Sequence, residues 1–418
     1  MIGKNNSVYV HLKTDVPSLI SIHCIAHKLE LGFQDTIKDV KLLQDAKEML
    51  PGIWKYYKYS CKAVRQIKEL ADMMGERAYK AVKADGSRWI PHLERALKVL
   101  LTKNYKLVIT HFQHASQAKE SSAKMQGTAT NCGKKLTRYL FVKFLHLLLD
   151  IVQQVSKVSL VFQREEGTIA LVQDKINALN ASLEALKTRP GEHLRSFEGS
   201  VDADNRFNDI VLSKKDTDDT SFLTTRDTLI DLAKQYISSR FSNFNDNSVL
   251  KAAASITEPL LWPKDRAPLL VYREDHLDSL INHFDHLITG PTVAFNELTC
   301  KDEWLELKLH YHRGGLRLSA KEFWQELFTN PHYSARFPNL LVLIELCLVI
   351  PIQTACCERS NSCLNRIMTD FRSYLDVSTV DALMFVSLNG PDYTEHNATR
   401  AVVHSGQRLR RPEIMDTM

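Results

Sequence analysis

Most of this chain places its apolar residues three and four positions apart. Leu29, Phe33, Ile37 and Val40 form one such run, and Ile169, Val172, Ile176, Leu179, Leu183 and Leu186 form a longer one. That repeat is the mark of a helix burying one narrow stripe. Because the second run is shorter than three heptads, it reads as half of a helix pair within one molecule, not as an intermolecular coiled coil. Pro51-Gly52, Asp85-Gly86 and Arg189-Pro190-Gly191 separate the helical stretches as turn signals. One segment departs from the pattern. Val16 to Ile25, VPSLISIHCI, is a short, partly β-branched apolar run opened by a proline, which predicts a buried strand feeding the helix that starts at Ala26.

Residues 196–220 are polar and acidic, with Asp202, Asp204, Asp209, Asp216, Asp218 and Asp219 close together. The glycine and glutamate of an EF-hand loop are missing at the required offsets, so the segment reads as a solvated surface loop. Apolar content returns from Phe337 to Met384, where a helix around Asn339 to Val349 breaks at Pro351 and two more helical stretches follow. Beyond Gly390-Pro391 the chain is polar, ends in Arg408, Arg410 and Arg411, and is expected to be a disordered tail.

Composition fits a folded globular protein, with 418 residues of which 44% are hydrophobic and 25% charged. No basic stretch followed by an apolar block opens the chain, so no secretory signal is read there. Tyr139 to Val152 is interrupted by Lys143, His146 and Asp150, and Leu340 to Ile352 is short and carries Glu345; neither reads as a membrane span. An intracellular protein is expected. The cysteines at 24, 61, 132, 300, 347, 356, 357 and 363 show no framework spacing and no CxxC pair, which points to reduced thiols and no four-ligand zinc finger. Charge is segregated: residues 51–160 hold 20 Lys and Arg against 7 Asp and Glu, and residues 161–300 hold 15 against 22. A phosphate backbone would favour the first segment, although a solvated helical face is the ordinary explanation for such lysines.

Three separated motifs, in order, resemble those of the hAT transposases and their domesticated descendants. The first is the Cys-x-x-His element, Cys24-Ile25-Ala26-His27, within His23 to Leu31. The second is Ser87-Arg88-Trp89 with Leu97, Leu100 and Leu101 downstream. The third runs Pro351-Ile352-Gln353-Thr354-Ala355-Cys356-Cys357-Glu358-Arg359-Ser360-Asn361-Ser362, then Arg366, Phe371 to Leu375 and Asp381-Ala382-Leu383-Met384. Cys357 stands where the family has Ser, and Asn361 where it has Phe.

This resemblance implies a mainly α protein: a partial RNase H-like α/β core over residues 1–30, a large helical insertion over 31–335, a C-terminal dimerisation region over 336–390 and a tail over 391–418. It implies that Glu358 corresponds to the family's catalytic carboxylate, with Cys24, His27 and Arg359 beside the active site. Arg88 and Trp89 would serve nucleic acid, Trp89 by stacking on a displaced base, unless Trp89 is a core residue. Leu340, Leu343, Ile344, Leu383 and Met384, in the apolar stretches Leu340 to Val349 and Val377 to Leu388, would carry dimerisation, unless they pack within one subunit. Family members hold two metal ions on two Asp and one Glu. No Asp here matches either partner of Glu358, so no strand cleavage, metal or other cofactor is expected. Mg²⁺ enters only if a longer protein supplies the two Asp residues.

For Cys24 and His27 a catalytic thiol pair, a metal site and core packing stand side by side, and packing accords best with an apolar strand end. The expected function is that of a catalytically inactive, hAT-derived nuclear protein that self-associates and binds DNA, without a membrane or small-molecule substrate. The alternatives are a truncated form of a DNA-cleaving transposase, with a BED- or TTF-type zinc finger upstream, and a scaffold whose basic segment binds acidic proteins.

Overall fold

The computed structural model describes residues 7–84, 86, 89–118, 122–163, 169–289, 295–314, 319–350, 355–369 and 372–390. The chain divides into two compact units, Met1–Gln353 and Thr354–Met418.

Helical periodicity becomes helix almost throughout. The first half of the larger unit contains α1 (Val8–Asp15), α2 (Ile25–Asp35), α3 (Lys41–Lys58), α4 (Cys61–Met74), α5 (Trp89–Lys103), α6 (Tyr105–Gln117), α7 (Ala123–Leu136) and α8 (Tyr139–Phe162). It continues through α9 (Ile169–Thr188), α10 (Glu192–Ser200), α11 (Asp218–Asp246) and α12 (Ser248–Thr257). At its centre is α8. The helix continues ten residues beyond Val152 to Phe162, and it is long and apolar enough to cross a bilayer by length and composition. Here its sides are covered instead by α2, α5, α9, α10 and α11, so the helix fills the middle of a helical cluster. Against α9 the stripe residues Val172, Ile176, Leu179, Leu183 and Leu186 are buried, and α9 packs on α8 and α11. The expected intramolecular helix pairing holds.

Two expectations from the sequence are corrected. The segment 16–24 forms no strand. A lone strand has no ladder partner, and among the described residues the only sheet is a two-stranded one elsewhere. Instead the segment runs irregularly between two hydrophobic clusters: Ile20 packs against both and Ile22 against the first. His283 Nε2 donates to the Ser18 carbonyl at 2.9 Å and Ser18 Oγ meets His286 Nε2 at 3.1 Å. The apolar residues that looked like a strand are a packing strap.

The acidic stretch is not a plain loop either. Its first residues belong to α10, and Arg206–Phe207 pairs with Ile210–Val211 as a small antiparallel hairpin. Asn208 and Asp209, at φ 49 and 62, make the two-residue turn, a pair of left-handed positions that Asn and Asp tolerate better than most residues. Several of its carboxylates are engaged. Asp202 accepts from the N–H groups of Asp204 and Arg206, Asp209 pairs with Lys106 at 2.7 Å, and Asp219 with Lys143 at 3.0 Å.

A second cluster of the larger unit is built from α12, α13 (Arg266–Leu270), α14 (Glu274–Ile288), α15 (Glu297–Gly314), α16 (Ala320–Thr329), α17 (Pro331–Arg336) and α18 (Pro338–Leu348). Leu250 of α12 belongs to the first cluster and Ala252, Ala253 and Ile256 to the second, so this helix joins them. Glu303 is buried and caps α18: its carboxylate accepts from the N–H of Leu340 at 2.7 Å and from Asn339 Nδ2 at 2.7 Å. Those donors lie in the first turn of the helix, where backbone N–H groups lack intrahelical acceptors and a negative charge suits the helix dipole. The smaller unit contains α19 (Ala355–Ile367) and α20 (Val377–Asn389), packed on each other. A mainly α fold is therefore observed.

Candidate association and nucleic-acid surfaces

The sequence-predicted site residues fall into different environments. Cys24 is the residue before α2, half-buried against the first cluster. One turn later His27 is exposed, its ring stacked with that of His23 at 6.4 Å. Core packing thus describes Cys24 and not His27. Burial and the neighbouring Lys28 and His27 hold His23 below the usual histidine range.

Trp89 opens α5 and is half-buried. Its indole lies on Phe33 of α2, with ring centroids 5.8 Å apart and planes 18° from parallel, and it lines a cavity of about 310 Å³ together with His27 and Leu93. The indole Nε1 is buried without a hydrogen-bond acceptor. One ring face is thus committed to the core. Arg88 lies outside the described residues.

Glu358 and Arg359 sit in the first turns of α19, Glu358 half-buried and Arg359 exposed. Among the described residues no group of three or more His, Cys, Asp or Glu is arranged to hold a metal ion.

The five expected association residues divide sharply. Leu340, Leu343 and Ile344 are all fully buried inside the second cluster. They are consumed by the chain's own core. Leu383 and Met384 lie on α20, which is far less buried: Met384 is half-buried, Leu383 is 41% exposed, and Val377, Phe385 and Val386 are 86%, 67% and 67% exposed. All three belong to the apolar stretch Val377 to Leu388 that the sequence marks as able to bury a shared core. A helix apolar all round is ordinarily a buried one, and that compositional signal was present in VSTVDALMFVSLN.

Residues 303–389 match the family model of the hAT C-terminal dimerisation region. The matched segment begins within α15, takes in α16 to α19 and ends at the last residue of α20. It includes Glu358, Arg359 and every residue expected to mediate association. The chain thus carries a segment of hAT-transposase type whose family role is dimerisation, and the exposed apolar residues of α20 lie inside it.

The basic segment is partly neutralised by the fold. Lys106 reaches Asp209 in the hairpin, and Lys143 reaches Glu198 and Asp219 at 3.1 and 3.0 Å, so lysines of the positive block meet carboxylates of the negative one. Lys55, Lys58, Lys68, Lys80, Lys83 and Lys98 remain exposed on α3, α4, α5 and the segment between α4 and α5. Aromatic rings interleave with them: Lys83 lies over the Trp54 ring at 5.7 Å, and Arg77 and Lys103 over Tyr79 at 5.3 and 5.9 Å. Cations alternating with aromatic faces suit the phosphates and bases of a single strand.

Proposed function

We propose that this chain is a hAT-transposase-derived protein that acts by self-association through α20 and contacts nucleic acid through the exposed lysines and aromatics of α3 to α5. It does not cut DNA, and it works in the nucleus. The exposure of Val377, Phe385 and Val386 within the segment matched to a dimerisation region carries the reading. Leaving such residues in water is unfavourable by about 25 cal/mol for each Å² of apolar surface, and a second copy presenting the same helix would cover them. The inactivity rests on the sequence: Glu358 is the one carboxylate that corresponds to the family's metal-binding set, and one carboxylate does not hold two cations.

Sedimentation velocity of the full chain tests the reading. The expected result is a dimer or larger species that becomes monomeric in the Phe385→Glu, Val386→Glu variant at unchanged melting temperature. A wild-type monomer at tens of micromolar, or an assembly indifferent to both charges, would overturn it. For the nucleic-acid part, single-stranded DNA affinity is expected to fall steeply with salt, and more shallowly once Lys58, Lys68 and Lys80 are changed to Gln; salt-independent binding would remove nucleic acid as a partner.

The retention of Glu358 at the family position favours one second reading, a form that cuts DNA when the missing carboxylates are supplied. Mg²⁺-dependent nicking by purified protein, lost in Glu358→Gln, would establish it.

A further inference from the structure

A cavity of about 430 Å³ opens between α3, α4, α5, α6 and the non-helical segment 75–84. Its volume lies within the range of small-molecule sites, roughly 300 to 1,000 Å³. Gly75 ends α4 in the left-handed conformation, at φ 66, which turns the chain back across the cavity. Asn104 then fixes the crossing segment, because its Oδ1 accepts from the Tyr79 N–H at 3.0 Å and its Nδ2 donates to the Tyr79 carbonyl at 2.7 Å. The roof is therefore pinned by a side chain that imitates a strand.

The chemistry of the cavity separates into wall and mouth. Leu50, Ile53, Val64, Ile67, Leu100 and Val108 supply hydrocarbon. Two polar side chains of the wall are already engaged, Asn104 with Tyr79 and the Tyr57 hydroxyl with His111 Nδ1 at 2.9 Å. A nucleobase would find no edge partners among them, since buried polar groups already paired offer little to a ligand. The mouth differs. Lys58, Lys68 and Lys80 line it, all three exposed, and the lining contains no carboxylate.

We propose that this cavity binds a single-chain anionic amphiphile, with its hydrocarbon tail between α3 and α6 and a carboxylate head among Lys58, Lys68 and Lys80. Long lysine stems suit such a mouth, because they cover apolar surface while holding the ammonium in water. The ligand is bound and released, not transformed, and the site is independent of self-association through α20.

Isothermal titration calorimetry of the full chain with dodecanoate below its micelle concentration tests the inference. Saturable one-to-one binding is expected, with dodecyltrimethylammonium at least about tenfold weaker. Val99→Phe, which places a ring into the cavity from a half-buried wall position, is expected to abolish binding. Lys58→Glu with Lys80→Glu is expected to weaken dodecanoate about tenfold and leave dodecyl maltoside unchanged. A diazirine-bearing dodecanoate, mapped by mass spectrometry on the wild-type chain, is expected to label residues 50–108, so the inference stays testable if Val99→Phe misfolds. Absence of saturable binding, equal affinity for the cationic amphiphile, labelling elsewhere, or a folded Val99→Phe that binds normally would each overturn it. So would tight capture of an acidic peptide by a cavity that ignores dodecanoate.

Discussion

The Asp150 carboxylate occupies the space that a side chain on Gly191 would fill. A Cβ built on Gly191 would fall among the carboxylate atoms of Asp150, and that closeness lets Asp150, in the middle of α8, accept from the backbone N–H groups of His193 and Leu194 at 3.0 and 2.9 Å. One helix thereby caps the start of another, α10, across the core.

Gly191→Ala is expected to push Asp150 off these two donors and to cost about 1–3 kcal/mol in urea-unfolding free energy. Gly199→Ala is the control, because a Cβ there meets nothing within 4 Å. Equal stability of the two variants would contradict the cap.

Asp150 itself sets a pH dependence. Burial raises its pKa above the usual carboxylate value, against the opposing N–H groups of Leu194 and His193. A raised carboxyl pKa means that the folded state holds the proton longer than the unfolded state. This contribution to stability therefore falls as pH rises from the ordinary carboxylate value through the folded pKa. Asp150→Asn should remove the slope while placing an amide N–H₂ against a backbone donor, for a net loss of about 1–3 kcal/mol at neutral pH by urea titration.

Lys308 is fully buried, with Nζ donating to the carbonyls of Leu270 at 2.7 Å and Tyr272 at 3.3 Å. Burial lowers its pKa to about 8 from 10.5. The unfolded chain binds the extra proton between those values, so this group makes stability rise with pH across that window. Lys308→Met should flatten that part of the melting-temperature profile relative to wild type, and an unchanged profile would count against a depressed Lys308.

His146 works in the acid range. Buried against Phe197, with ring centroids 4.7 Å apart, it is pushed down by burial to about 4 from 6.5. The folded state resists protonation that the unfolded state accepts, so stability is lost as pH falls from 6.5 toward 4. His146→Leu should unfold at lower pH than wild type in an acid titration followed by circular dichroism.

Trp89 separates two roles by substitution. Its stacking on Phe33 predicts that Trp89→Ala loses about 3 kcal/mol of stability. Trp89→Leu should retain more of the packing while removing the aromatic face. A preference for unpaired bases that survives in Trp89→Leu would leave Trp89 as a packing residue alone.

Helix content, the stripe of α9 and the resemblance at Glu358 to Met384 were legible in the sequence, because periodic burial and ordered motifs are local properties of a chain. The family match over 303–389 agrees with that resemblance. Tertiary structure decided what local pattern leaves open. VPSLISIHCI has the composition of a strand, and it forms none because a strand needs a partner ladder. Leu340 and Phe385 look alike as apolar helical residues, yet one is sealed in a core and the other faces water, since burial depends on what the rest of the chain brings alongside. The positive and negative blocks look separate in sequence, while Lys106 and Lys143 find Asp209 and Asp219 in space. The sequence by itself specified which elements are helical; long-range packing decided which of their surfaces remain available for a partner.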